Sequence, residues 1–275
     1  MPLIPRRRVG RLGIFLGGRA CARTLAVALT LAVGPGSPPA RAAEGLYLTW
    51  NDCAAGAGVP SLTGGCGSNA GDQRLYLAFT LGAPLDEVLG IEAVVDLQAG
   101  TTALPDWWHF EPANPGLGQP AGCRFGSLSA SQDYTGHAAC VDPWLNRGTP
   151  LIQGYTPGDP RGGTAQARIK VVETLPAPFV ASLTAGPMVH GVIVVIDNQK
   201  TSGAGFCAGC LTRVCLVLNS IWIRRTLDAT GGDQLLVQTV TPGSNWAVWQ
   251  QGTALDCTAV PVRRATWGQI KSLYR

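Results

Sequence analysis

Short apolar runs separated by Gly, Pro and Asn turns recur along this chain, and their period is that of strands rather than helices. LYLTW (Leu46 to Trp50), RLYLAFTL (Arg74 to Leu81) and IEAVVDLQ (Ile91 to Gln98) come first, the last two separated by Gly82-Ala83-Pro84. WWHFE (Trp107 to Glu111) follows Pro105, and AQARIKVVET (Ala165 to Thr174) puts Ala167, Ile169 and Val171 on one face. MVHGVIVVID (Met188 to Asp197) and VCLVLNSIWI (Val214 to Ile223) are almost continuously apolar, as central strands are. Gln234 to Val240 and Trp246 to Trp249 close the series. Helical patterns are confined to Leu85 to Leu89 and to TWGQIKSLY (Thr266 to Tyr274). No internal repeat of fixed period is present. The pattern predicts an all-β fold, a two-layer β-sandwich or jelly roll with a short C-terminal helix. PANPGLGQ (Pro112 to Gln119) and TPGDPRGGT (Thr156 to Thr164) read as linkers, and any division into two lobes would fall at the second.

The first 42 residues follow a different pattern. Arg6, Arg7, Arg8 and Arg11 precede the short apolar run TLAVALTLAV (Thr24 to Val33), and Ala40-Arg41-Ala42 supplies a small-x-small cleavage site. The apolar run is about half the roughly 20 residues that a membrane helix needs. The expected organisation is a signal peptide over 1–42 and one disulfide-bonded domain over 43–275, with no transmembrane anchor. The residues after the Arg pair fit a twin-arginine signal poorly, and Cys21 lacks the lead of a lipoprotein site. The expected location is secreted, periplasmic or at the cell surface.

Removal of that signal reverses the charge. Residues 1–42 hold seven Arg and no acid, so 14 basic and 17 acidic residues remain, a net charge of −3 in place of +4. Without a basic stripe to neutralise phosphates, nucleic acid is not an expected partner. Charged residues make up only 14% of the chain, against about 25% in ordinary domains. That low charge, with abundant Gly and Pro, fits a turn-rich extracellular β protein.

Eight cysteines lie beyond residue 42: Cys53, Cys66, Cys123, Cys140, Cys207, Cys210, Cys215 and Cys257. An even number in an exported chain reads as a disulfide framework. Short loops are cheapest to close, which predicts Cys53–Cys66 and Cys123–Cys140. For the last four, Cys207–Cys215 with Cys210–Cys257 is the expected set, and Cys207–Cys210 with Cys215–Cys257 is its rival. The Cys207-Ala-Gly-Cys210 motif precedes a strand-like segment, whereas a redox motif opens a helix. A zinc site would need a second matching pair. No metal or cofactor is expected.

LTWNDC (Leu48 to Cys53), VVDLQ (Val94 to Gln98), LPDWWHFE (Leu104 to Glu111), CAGC with VCLVLNSI (Cys207 to Ile221) and TWGQIKSLYR (Thr266 to Arg275) stand in this order. Together they resemble a family of uncharacterised exported, cysteine-rich β proteins from uncultured bacteria. The resemblance spans nearly all of the chain after the signal. It implies export and a cysteine scaffold, and it carries over no catalytic or binding residue.

The chain has no Gly-x-Ser-x-Gly elbow, His-Glu-x-x-His helix, phosphate loop or dinucleotide fingerprint. Its histidines are His109, His137 and His190, and His190 sits in an apolar run as a hydrogen-bonded core or edge residue would. The candidate binding cluster is Asp106-Trp107-Trp108-His109-Phe110-Glu111. On a regular strand, Trp107, His109 and Glu111 would share an outer face while Trp108 and Phe110 packed inward. An indole beside an imidazole and a carboxylate suits a sugar ring, and Trp108 and Trp144 complete the candidate ligand-binding set. The alternative role for these aromatics is core filling. Asp106 and Glu111 would face opposite sides of a strand, which counts against a glycosidase acid pair. Three functions follow: a non-catalytic exported or surface domain binding an extracellular ligand such as a glycan, a carbohydrate-active or other hydrolase on a jelly-roll scaffold, or a structural subunit of an extracellular assembly.

Overall fold

Alternation along the chain produces twelve strands in the computed structural model, which describes residues 43–159, 163–237, 244–251 and Cys257. They are β1 (Gly45–Trp50), β2 (Ser61–Leu62), β3 (Asp72–Thr80), β4 (Leu85–Ala99), β5 (Leu128–Ser131), β6 (Thr149–Pro157), β7 (Gln166–Thr174), β8 (Ala181–Leu183), β9 (Val189–Asp197), β10 (Val214–Arg225), β11 (Gln234–Leu236) and β12 (Trp246–Trp249). The signal peptide expected over 1–42 and the helix expected at Thr266 to Tyr274 lie outside the described residues.

Two sheets form. One has the order β1-β3-β9-β5 and is antiparallel throughout. The other runs β2-β12-β10-β4-β7-β6, with β8 on β4 and β11 on β10. Its pairs are antiparallel except β2 with β12. The sheets bury one face each against the other, a sandwich-like arrangement. Leu46, Leu48, Leu75, Leu77, Phe79, Val192, Val194 and Ile196 from the small sheet join Ile91, Ala93, Val95, Leu97, Ala167, Ile169, Val171, Leu216, Leu218, Ile221 and Ile223 from the large one. A bulge between Leu218 and Ser220 shifts the phase of β10, so both Leu218 and Ile221 face the core.

Three local expectations are corrected. Leu85 to Leu89 begins β4 instead of forming a helix, and Glu87 has φ +59°, outside helical space. Trp107 to Glu111 is not a strand. Asp106–Trp108 forms a 3₁₀ turn, closed by Trp108 N–H to Pro105 O (2.8 Å) and His109 N–H to Asp106 O (3.1 Å). Thr156 and Pro157, read as the start of a linker, are the end of β6 and pair with Arg168 and Ala167 of β7.

All eight cysteines are bonded, and none of the first-choice pairings is present. The bridges are Cys53–Cys140, Cys66–Cys210, Cys123–Cys207 and Cys215–Cys257. Only the last belongs to the rival set. Each bridge joins segments that the sheets bring together from 42 to 144 residues apart, so tertiary proximity overrides loop length.

Cys53–Cys140 fastens the segment after β5 over the outer face of the small sheet. There the Tyr134 ring stacks on His190 (4.1 Å between centroids, 16° between planes). His190 Nε2 donates to His137 O (2.9 Å), and burial pulls its pKa below the ordinary histidine value. His190 is therefore a core residue anchored through Nε2, with Nδ1 buried and without a partner. Its neighbours Cys53 and Cys140 are no metal pair, since each sulfur is spent on the other.

Candidate functional site

Between β4 and β5 the chain leaves the sandwich for a long excursion. Its backbone is paired with itself: Arg124 N–H donates to His109 O (2.9 Å), Gly122 N–H to Glu111 O (2.9 Å), and Asn114 and Gln119 exchange two bonds (2.9 and 3.0 Å). The result is a narrow ribbon with Pro115–Leu117 as a 3₁₀ turn at its tip. Gly122 is needed at the base, because a Cβ there would lie 2.5 Å from His109 O and 2.8 Å from Glu111 Oε2. Against the end of β6 the ribbon encloses a cleft of about 810 Å³, lined by Asp106, His109, Glu111, Asn114, Gln119 and Tyr155 and by Pro112, Pro120 and Pro157.

The turn at Asp106–Trp108 roots this ribbon. A strand would send Trp107 and Trp108 to opposite faces, but the tight turn drives both into the core, where neither is exposed. Trp107 stacks on Trp249 (5.0 Å, 15°) and Trp108 meets Trp107 edge-on (5.0 Å). Trp107 Nε1 donates to Thr201 Oγ1 (3.0 Å). Phe110 packs edge-on against Tyr155 (5.4 Å), whose hydroxyl donates to Trp108 O.

Arg124, a residue with no signal in the sequence, holds the ribbon's other leg. Its side chain is fully buried. Nε donates to Gln199 O (3.1 Å), Nη1 to Trp107 O (3.0 Å) and Nη2 to Asp197 O. The guanidinium lies 3.7 Å above the Trp107 ring, a cation–π contact. Burial lowers its pKa to about 10. Next to it, Cys123–Cys207 ties the ribbon to the loop before β10. A planar fork is needed to reach three carbonyls at once, and an ammonium cannot copy it. Arg124→Lys should therefore destabilise the protein by about 3 kcal/mol in urea denaturation, the cost of carbonyls left unpaired in the interior. Unchanged stability would remove Arg124 from this role.

The predicted binding residues divide. Trp107, Trp108 and Trp144 are buried and offer no ring face to a ligand, which corrects the aromatic platform. Trp144 is not part of the cleft lining, and its Nε1 donates to His190 O (3.0 Å) and Gly191 O (2.8 Å). His109 and Glu111 do line the cleft, together with Asp106. His109 Nδ1 meets Glu111 Oε1 at 2.7 Å and Nε2 meets Leu104 O at 3.2 Å, so both ring nitrogens are engaged. His109 therefore has no free nitrogen for a base or a metal ligand. Glu111 Oε2 is closed off beside Gly122 and has no partner. The turn brings Asp106 and Glu111 into one cleft, where strand geometry would have separated them. With Glu111 bound to His109, they are not a free acid and base.

No protein-family model, curated protein or solved structure matches this chain.

Proposed function

We propose that this chain is an exported, non-catalytic β domain that binds a hydroxyl-rich extracellular ligand, such as a glycan, in the cleft beside the ribbon. The observation that carries this reading is the construction of the ribbon. A long excursion that the two sheets do not require is nonetheless fixed by a disulfide, a buried guanidinium and two buried indoles. Loops of this length inside a domain are commonly functional, and a wall fixed in advance lowers the entropy lost on binding. Four disulfides suit an oxidising compartment. Among the described residues no helix is long and apolar enough to cross a membrane.

The lining supports a hydroxyl- or amine-bearing ligand. Asp106, Asn114 and Gln119 offer carboxylate and amide groups, the prolines offer apolar surface, and among the described residues no Lys or Arg lines the cleft. Hydroxyls and amines suit such a surface, while the Asp106 and Glu111 carboxylates disfavour an anionic polymer. Binding of the oxidised, secreted protein to an array of neutral and amine-bearing glycans tests the reading. Bound glycans should lose at least about tenfold in affinity, or 1.4 kcal/mol, in Asp106→Ala/Asn114→Ala at unchanged melting temperature. An array without binding, or equal binding by the variant, would overturn it.

A further inference from the structure

The alternation that places Ala167, Ile169 and Val171 inside the sandwich continues to Glu173, whose side chain is fully buried. Neither carboxyl oxygen has a hydrogen-bond partner. No ion pair joins it to a cation among the described residues. Gln132 Oε1 is also buried without a partner, while its Nε2 donates to Gly148 O (2.6 Å). These oxygens crowd one notch: a Cβ on Gly148 would lie 1.8 Å from Glu173 Oε1 and 2.7 Å from Gln132 Oε1. Two titratable neighbours face Glu173, and neither can serve it as a donor. The Tyr134 hydroxyl donates to Gly191 O (3.0 Å), and Asp142 is an acid whose Oδ1 accepts from Trp144 N–H (2.9 Å).

Ionised, this site would hold a desolvated charge facing only acceptors and a second acid. One proton changes that, because a neutral carboxyl becomes a donor for the oxygen beside it. Segment 132–148 crosses from β5, an edge of the small sheet, to β6, an edge of the large one, and so closes one side of the sandwich. We propose that Glu173 is held as a neutral carboxylic acid donating its proton to Gln132 Oε1, and that this proton latches segment 132–148 across that side. Burial first, and then the negative charge of Asp142, raise the Glu173 pKa to about 8. For an acid whose pKa is raised on folding, the stabilisation is complete below the unfolded value near 4.5 and is lost as pH rises through about 8. The latch is therefore tightest in acid, weakens as pH climbs from about 4.5, and loses its proton in mild alkali.

Infrared spectroscopy and amide hydrogen exchange test this in the intact, oxidised protein. At pH 7 the difference spectrum of wild type minus Glu173→Gln should contain a protonated-carboxyl C=O band, which fades in wild type as pH passes 8. Exchange protection across 132–148, corrected for intrinsic rates, should fall by up to about tenfold per pH unit between about 4.5 and 8 in wild type and level off above 8. It should stay level in Glu173→Gln, whose amide still donates to Gln132. Gln132→Leu removes the acceptor that favours the neutral acid and should move the transition to lower pH. A spectrum without the protonated band at pH 7, or equal loss of protection in wild type and Glu173→Gln, would overturn the latch.

Discussion

Reduction of the four disulfides is expected to unfold the protein at room temperature. The bridges span 87, 144, 84 and 42 residues, and cross-links over loops of that size each stabilise a fold by about 4–5 kcal/mol through the entropy they remove from the unfolded chain. A folded domain is held by only about 5–15 kcal/mol in all, so even overlapping contributions from four such links exceed it. The bridges also stand where the sheets alone leave segments unsupported. Cys53–Cys140 holds the cover over the small sheet, Cys66–Cys210 holds the loop before β3, and Cys123–Cys207 holds the cleft ribbon. Far-ultraviolet circular dichroism with and without a dithiol reductant reads the effect. A reduced protein that keeps its sheet signal and melts cooperatively would show that the core suffices alone.

Trp107→Ala carries the second largest expected effect, a loss of about 3–5 kcal/mol, the range for a large aromatic removed from a packed interior. The ring is not exposed, stacks on Trp249, supports Arg124 and donates to Thr201. Its removal leaves a void bounded by other aromatics and an Arg that has lost its platform. Chemical denaturation followed by the remaining tryptophans measures the change. A variant as stable as wild type but weakened in ligand binding would return Trp107 to the surface role that strand alternation suggests.

The central strands were readable because their side chains obey one rule over eight or more residues. β3, β7, β9 and most of β10 follow alternation or continuous burial. β6 was hidden because Pro150, Gly154 and Pro157 resemble a linker, and prolines are tolerated there because β6 is an edge strand. The turn at Asp106–Trp108 was hidden by its own aromatics, whose strand preference is weaker than the closure that begins at Pro105. His109 and Glu111, expected on an outer strand face beside an indole, line the cleft instead, while the indoles meant to supply that face are buried. Arg124 could not be found, since its acceptors are backbone carbonyls that no sequence pattern marks. Glu173 was findable: the next step of the alternation, two residues beyond Val171, puts a carboxyl inside. The disulfides failed for a general reason. Loop entropy ranks pairings in an unfolded chain, while native pairings are chosen by the folded one.

That connectivity has a consequence for how the protein is made. A chain delivered N-terminus first presents Cys53, then Cys66 and Cys123, before Cys140, the partner of the first, arrives. Cys66 and Cys123 wait longer still, for Cys210 and Cys207. Oxidation in order of appearance would join Cys53 to Cys66 and Cys123 to Cys140, two bonds absent from the finished molecule. The native set is reached only when oxidation lags behind delivery or when early bonds are exchanged. Maturation is thereby tied to the supply of a catalyst that reshuffles disulfides, or to a host that postpones oxidation until the last cysteines have emerged.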